Sequence, residues 1–325
     1  MPCCPPPTIY QEKGNIAVDS VKDFLIGKGV DTSKIYSLVL DLDSLDNVKE
    51  FATAYKTLGL GDISILINNA GCMAVPKREL TIDGNERQFQ SNHLGHFALT
   101  AELFPYFSRD GTKVINVSSS ASNIPGPKGL DMDNLNSEKS YSAWGTYGNT
   151  KLANVLFTNE LQKKANDAGF DWLTTVSLHP GVVNTDLWRY IVGEERLANI
   201  KSQDTPSLES LALSATSLFT LSPEQGANTQ IYLAATDDDL TKGAFYEEMK
   251  EKTNMPSFAK DEVKASELWN ISEELAGITF DLTMSVVDTE SDGMVLDSDE
   301  ETEVEEDITI TDAQKRFFGQ DEDYA

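Results

Sequence analysis

Short apolar runs alternate with longer amphipathic stretches through the middle of the chain. The runs at 35–40, 63–67, 114–117 and 172–178 are rich in Ile, Val and Leu, which is typical of strands buried on both faces. Segments with helical spacing lie between them: one through Val48 and Tyr55, one from about Gly84 to Phe107, and one from about Ser142 to Ala168. Strands separated by such helices predict right-handed crossovers. The fold class is therefore α/β, with a doubly wound parallel sheet.

Composition and charge exclude several classes of protein. The 53 acidic side chains exceed the 26 basic ones and give a net charge of −27, which argues against nucleic acid or an anionic membrane as a partner. We find no apolar run long enough for a transmembrane helix, and residues 1–7 do not resemble a signal peptide. Three cysteines cannot form a disulfide framework. These features predict a cytoplasmic protein.

The acidic charge is concentrated at the C-terminal end and predicts a domain boundary. Residues 279–325 hold 16 acidic side chains against Lys315 and Arg316 and show no sustained apolar period. Such a segment cannot bury enough surface to offset its ordering entropy, so we expect a disordered tail. A regulatory or partner-binding tail is the alternative. The chain then divides into an unrelated stretch at 1–11, a folded domain at 12–278 and the tail.

Polar and small residues follow three of the predicted strands. Asn68–Gly71 comes after the strand at 63–67, Ser118–Ser120 after that at 114–117, and His179–Gly181 after that at 172–178. In a doubly wound sheet, ligands bind beyond the carboxyl ends of the strands. Tyr147 and Lys151 lie four residues apart on the helix after the serines, and so on one face. The sequence therefore predicts a site at this edge.

A Tyr-x-x-x-Lys pair occurs twice, so the pair alone is a weak signal. Tyr246 and Lys250 match the pattern as well as Tyr147 and Lys151, but only the latter pair follows a strand that ends in serine. A phenol has an ordinary pKa of about 10, and a nearby ammonium favours its charged form. We therefore expect Lys151 to lower the pKa of Tyr147 toward neutrality.

Each of these residues also has a purely structural interpretation. Ser119 commonly suits a strand-end turn, Gly71 a tight turn, and Asn92 a hydrogen bond to its own helix. His93 and His96 have a spacing that could hold a metal, but the chain offers only one further histidine. We therefore predict no metal site.

Several stretches resemble the short-chain dehydrogenase/reductase superfamily, in particular its retinol-dehydrogenase and WW-domain-oxidoreductase branch. The resemblance covers roughly residues 12–277. The matching stretches are Asp41–Asp43, Leu66–Gly71, Asn92–Phe97, Val114–Ser119, Tyr147–Phe157 and Leu178–Thr185. It implies a Rossmann-like fold and an NAD- or NADP-dependent oxidoreductase.

The resemblance also implies a role for each matching residue. Tyr147 would be the general acid/base, Ser119 would hold the reacting oxygen, Lys151 would bind the nicotinamide ribose, and Asn92 would anchor a water for proton relay. The other cofactor-binding residues would be Asp41, Leu42, Asn69, Ala70, Gly71, Pro180, Gly181, Val183 and Thr185.

The implied reaction interconverts a carbonyl and an alcohol on an apolar small molecule. The segment from Leu187 to Leu211, with Trp188 and Tyr190, would form the substrate wall. A protochlorophyllide-reductase-like enzyme is one alternative, and a non-catalytic paralogue that acts as an interaction protein is another. Family members often pair through their long helices, which implies a homodimer.

The resemblance fails at the front of the chain. The family's glycine-rich βαβ unit has no counterpart before Ile35, because Gly14, Gly27 and Gly29 have the wrong spacing. The expected sheet is therefore N-terminally incomplete. The strand at 35–40 would lose its neighbours, and that at 63–67 would become an apolar edge. Either a longer product of the gene carries the missing unit, or the chain is a truncated paralogue.

Overall fold

One sheet flanked by helices makes up the described chain. The computed structural model describes residues 7–184, residue 187 and residues 220–282, with side chains from residue 12 onward. The strands are β1 (Ile65–Asn68), β2 (Thr112–Val117), β3 (Leu173–His179), β4 (Phe245–Glu247) and β5 (Lys250–Glu251). The helices are α1 (Pro7–Ile26), α2 (Leu45–Thr57), α3 (Arg87–Phe89), α4 (Gly95–Leu103), α5 (Ala143–Asp167), α6 (Pro223–Ala235) and α7 (Glu262–Ala276).

The sheet has the order β1-β2-β3-β4-β5. The first four strands run parallel, with Ile67 opposite Ile115 and Val114 opposite Thr175, and β5 joins β4 antiparallel. Side chains alternate between the two faces of a strand. Val114 packs in the cluster on the α5 side, whereas Ile115 packs with Leu233 of α6 on the other side. The predicted parallel sheet, covered on both faces, is therefore confirmed.

Residues 35–40 do not form the strand predicted for them. The segment runs irregularly between α1 and α2, and none of the described strands lies beside it. A strand needs a neighbour to pair its backbone N–H and C=O groups, so the apolar pattern alone was not enough. The expected apolar edge is present at β1, where Ile65 and Ile67 are 43% and 39% exposed.

The long helix predicted from Gly84 to Phe107 begins at Arg87 and is not uniform. A π-helical turn, Gln90–Leu94, lies between α3 and α4, and a short 3-10 turn follows α4. A π turn inserts one extra residue per turn and widens the helix locally. Here the widened turn contains Asn92, one of the predicted catalytic residues.

Helix α7 packs across α4 and α5 through an aromatic cluster. The Trp269 ring stacks on Phe280 at 4.9 Å between centroids and meets Phe97 edge-on at 5.0 Å. Phe280 and Leu282 are buried, so the folded domain continues past the boundary predicted at 278. Likewise, the boundary predicted between 11 and 12 falls inside α1. Among the described helices, none has both the length and the apolar character needed to cross a membrane.

Candidate active site

The carboxyl ends of β1, β2 and β3 open into one cavity of about 900 Å³. This is the edge at which the sequence predicted a site. The cavity brings together most of the predicted site residues. Those that line it are Asn69, Ala70, Gly71, Ser119, Tyr147, Lys151, Pro180, Gly181 and Val183.

Tyr147 lies near the start of α5, which the Ser142 hydroxyl caps by accepting the Gly145 N–H. Its side chain is buried, and the Ser119 hydroxyl lies near its phenol. Burial raises the pKa of Tyr147 to about 12, against the opposing effect of the nearby Ser119 hydroxyl. The phenol therefore carries its proton at neutral pH, and the predicted decrease of its pKa is wrong for this structure.

Lys151 lies one turn further along α5 and is also buried. Its Nζ donates to the Val117 carbonyl at 3.0 Å and lies 5.7 Å from the centre of the Tyr147 ring. Burial lowers the pKa of Lys151 to about 8, because desolvation disfavours the ammonium. At neutral pH the ammonium still predominates, and it is a buried cation at the floor of the cavity.

The three serines after β2 occupy different structural positions. Ser118 is buried and its hydroxyl donates to the Lys151 carbonyl at 2.6 Å. Ser119 accepts the Ala121 N–H at 3.2 Å, which caps the short 3-10 helix that begins at Ser120. Ser119 is also the serine whose hydroxyl influences the Tyr147 phenol. Its turn role and its predicted place in the site are therefore compatible.

The Asn92 side chain holds the loop that follows β1 by hydrogen bonds to its backbone. Its Oδ1 accepts the Cys72 N–H at 2.8 Å, and its Nδ2 donates to the Cys72 carbonyl and to the Thr150 hydroxyl, both at 2.9 Å. Asn92 thus ties the β1 loop to α5. It does not simply bond its own helix, which was the structural alternative.

Two predicted cofactor contacts lie apart from the cavity, and one falls outside the described residues. Asp41 starts a turn by accepting the Asp43 N–H, and neither Asp41 nor Leu42 is among the cavity's lining residues. Leu42 is buried in the core, where a Cβ on Gly95 would meet it at 3.0 Å. Thr185, like Trp188 and Tyr190, lies outside the described residues.

The second Tyr-x-x-x-Lys pair does not form a comparable site. Tyr246 belongs to β4, and its hydroxyl accepts the Thr241 N–H at 3.0 Å. Lys250 belongs to β5 and is exposed. Because β4 and β5 form a hairpin, the two side chains do not share a helix face.

Four apolar side chains that the sequence analysis missed also line the cavity: Met73, Ile124, Trp144 and Val182. Trp144 is 44% exposed and meets the Tyr147 ring edge-on at 6.1 Å. Its position three residues before Tyr147 on the same helix was a usable signal. Ile124 gave none, because it lies in the irregular segment between β2 and α5.

The cavity's polar groups fit the nicotinamide end of NAD or NADP. The Lys151 ammonium has three hydrogens and can donate to hydroxyl groups as well as to Val117. On the opposite side, Gly181 has a φ of +87°, and a Cβ there would lie 2.4 Å from Leu221 Cδ1. The loop can therefore follow this path only with glycine. Lys151, Tyr147, Asn69–Gly71 and Pro180–Val183 are the residues that would hold the cofactor.

Comparison with known proteins supports the same assignment. A family model for short chain dehydrogenases matches residues 19–130. Human polyprenol dehydrogenase is 33% identical over 256 residues, which cover 77% of this chain and 72% of that protein. The chain belongs to the short-chain dehydrogenase family. Mouse retinol dehydrogenase 14 is 36% identical over 240 residues, covering 74% of this chain and 66% of that protein.

Solved structures agree on the fold. An uncharacterized protein from Mycobacterium Paratuberculosis is 34% identical, with a TM-score of 0.54, and the match covers 75% of this chain and 76% of that chain. L-sorbose reductase from Gluconobacter frateurii is 20% identical, with a TM-score of 0.51, over 73% of this chain and 81% of that one. The predicted Rossmann-like fold and the retinol-dehydrogenase-like branch are confirmed, as is an oxidoreductase that uses NAD or NADP.

Proposed function

We propose that this short-chain dehydrogenase interconverts a carbonyl and an alcohol on an apolar small molecule, with Tyr147 as general acid/base. The observation that carries the proposal is the convergence of the Tyr147 phenol, the Ser119 hydroxyl and the Lys151 ammonium on one cavity. When bound, NADPH or NADH supplies the hydride that reduces the carbonyl carbon. Tyr147 donates its proton to the carbonyl oxygen, and Ser119 hydrogen bonds to that oxygen.

The ionisation of these groups suits reduction. A phenol whose pKa is raised to about 12 holds its proton until the carbonyl oxygen gains negative charge. Lys151, with a pKa lowered to about 8, is charged at neutral pH and stabilises a phenolate as it forms. In the oxidising direction the same phenol must first lose its proton, so we expect oxidation to need a higher pH than reduction.

The apolar lining supports an apolar substrate. Ile124, Trp144 and Val182 are each between 44% and 48% exposed, and all three face the same cavity. Large apolar side chains that converge on a concave site are typical of ligand pockets. Leu187 packs beside Met73 and Tyr147 at the same place. The names of the relatives point the same way, since retinol and polyprenol are both apolar alcohols.

The test compares two tyrosine variants from the two Tyr-x-x-x-Lys pairs. Each purified protein is assayed for oxidation of NADPH and NADH with a panel of apolar aldehydes, and for dinucleotide binding. We expect Tyr147→Phe to lower kcat about 10²- to 10⁴-fold without loss of dinucleotide affinity. The matched control, Tyr246→Phe, should keep its kcat per folded molecule.

Three results would overturn the proposal. Full turnover by Tyr147→Phe would remove the assigned acid/base. Failure of the unaltered protein to bind either dinucleotide would favour the non-catalytic interaction protein instead. A reaction that proceeds only under illumination would favour the protochlorophyllide-reductase-like alternative.

A further inference from the structure

A loop with a strained residue forms one wall of the cavity. Met73 lines the cavity, and Met73 and Ala74 form a small apolar cluster with Tyr147. Ala74 has a φ of +53°, in the left-handed region that a residue with a Cβ rarely adopts. Such a conformation persists only where the surrounding structure holds it. The position of Met73 beside Tyr147 therefore depends on the contacts that hold this loop.

The loop is held on both sides of Ala74. On one side, the Asn92 amide bonds with the backbone N–H and carbonyl of Cys72. On the other side, the Tyr141 hydroxyl donates to the Val75 carbonyl at 2.5 Å. Val75 is buried, and a buried carbonyl that loses its donor destabilises the conformation that buries it. The Tyr141 hydroxyl therefore supports the strained turn.

The buried Gln88 side chain connects Tyr141 to the start of α5. Its Nε2 donates one hydrogen to the Tyr141 hydroxyl at 3.0 Å and the other to the Ala143 carbonyl at 3.2 Å. Helix α5 begins at Ala143, and in an α-helix that carbonyl accepts the backbone N–H four residues later, which is that of Tyr147. Gln88 thus joins the anchor of the loop to the helical turn that carries Tyr147.

We propose that Tyr141 is a positioning residue, whose hydroxyl holds the turn at Ala74 and thereby keeps Met73 packed beside Tyr147. The inference rests on the proposed function. Tyr141 is not among the residues that line the cavity, so it acts through the loop and not by contact with the substrate. Without its hydroxyl, Ala74 can relax to a negative φ, which displaces Met73 relative to the Tyr147 phenol.

Tyr141→Phe removes the hydroxyl and keeps the ring. We expect this variant to lower kcat about 10- to 100-fold, because small displacements of positioned groups have large effects on rate, and to keep its dinucleotide affinity. Tyr55→Phe is the matched control, since the Tyr55 hydroxyl also donates to a loop carbonyl, that of Gly61 at 2.7 Å. The control should keep its kcat.

A second substitution separates positioning of the loop from a general loss of stability. Glycine adopts a positive φ without strain, so Ala74→Gly lets the turn persist without the Tyr141 hydrogen bond. We expect Tyr141→Phe combined with Ala74→Gly to regain most of the kcat that Tyr141→Phe alone loses. Full kcat in Tyr141→Phe, or a combined variant as slow as Tyr141→Phe alone, would overturn the inference.

A spectroscopic test does not depend on turnover. The chain contains seven methionines, so ¹³C-labelled methionine methyl groups give few signals, and Met73→Leu identifies that of Met73. The chemical shift of this methyl group depends on its place relative to the Tyr147 ring, because the two side chains share one cluster. We expect the Met73 signal to move in Tyr141→Phe and to return when Ala74→Gly is added. An unmoved signal overturns the inference. A moved signal in a protein without turnover would leave the Tyr141 contact standing and reject the proposed function.

Discussion

At the scale of single residues, burial dominates the ionisation of the site. Tyr147 and Lys151 lie in the same cavity, yet the pKa of each moves against its charged form. The Lys151 Nζ donates a hydrogen bond to the Val117 carbonyl and lies 5.7 Å from the Tyr147 ring centre. Before the reaction, Tyr147 is therefore protonated. The Lys151 ammonium stabilises the phenolate only when proton transfer to the substrate forms it.

The buried Lys151 ammonium lowers the free energy of unfolding, and Lys151→Met tests this effect. The pKa of Lys151 falls from 10.5 to about 8 on folding, which corresponds to a cost of up to about 3 kcal/mol. Below pH 8 the folded protein bears the whole cost. As the pH rises from 8 to 10.5 the unfolded chain binds more protons than the folded one, so the cost is relieved. Val117 keeps the Asn154 amide as a donor when the ammonium is removed.

We therefore expect Lys151→Met to abolish turnover and to raise the free energy of unfolding at pH 7. The difference in the free energy of unfolding between Lys151→Met and the unaltered protein should be smaller at pH 10. Urea denaturation at the two pH values measures this gap, and Lys250→Met, at an exposed lysine, is the control. A Lys151→Met protein that is less stable at pH 7 would show that the buried ammonium does not destabilise the fold.

Residue-scale prediction from sequence succeeded where topology alone brings groups together. Ser119, Tyr147 and Lys151 meet because parallel strands end at one edge, and the motif spacing shows which helix face carries the last two. The direction in which the pKa of Tyr147 shifts could not be predicted from the sequence, because it depends on how deeply the side chain is buried. The Asn92 partners were equally hidden, since Cys72 and Thr150 are distant in sequence.

At the scale of elements, the site depends on how the β1 loop contacts the π turn. Gly71 passes so close to Asn92 that a Cβ would lie 2.7 Å from its Oδ1. That oxygen holds Cys72 and so cannot swing aside freely. The glycine at this position is therefore required by close approach rather than by its backbone angles.

Gly71→Ala should force the Asn92 amide away from Cys72. We expect kcat to fall at least about tenfold, because small displacements of positioned groups have large effects on rate. Kinetics and thermal unfolding measure the two consequences. Gly27→Ala is a matched control, since a Cβ there makes ordinary contacts at 3.6 Å. An active, stable Gly71→Ala protein would show that the contact is unimportant.

The same scale explains the missed strand. The pattern at 35–40 is as apolar as that at 63–67, but among the described strands only the latter segment has a neighbour, which is β2. Strand formation needs a partner, and the sequence of one segment does not contain that information.

At the scale of the whole molecule, α7 covers the outer surface of α4 and α5. Trp269 is 3% exposed among Phe97, Phe157 and Phe280. The α5 surface that packs on α7 is thereby covered by the chain itself. The predicted homodimer stays a prediction, and it cannot use that covered surface without displacing α7.

Trp269→Ala should lower the free energy of unfolding by about 3–5 kcal/mol, because it leaves a large cavity in the aromatic cluster. Val263→Ala is the control on the same helix, since Val263 is 77% exposed. Chemical denaturation monitored by circular dichroism gives both values. Equal stability of the two variants would mean that α7 is not docked through Trp269.

Transfer of deuterium from the cofactor to the substrate is the most direct measure of hydride transfer in the Tyr147 cavity. The unaltered protein is incubated with reduced cofactor that carries deuterium at the transferable position and with an apolar aldehyde, and the product is analysed by mass spectrometry. We expect an alcohol with deuterium on the former carbonyl carbon, and a product signal that nearly disappears in Tyr147→Phe. An alcohol without deuterium, or equal labelling by Tyr147→Phe, would contradict it.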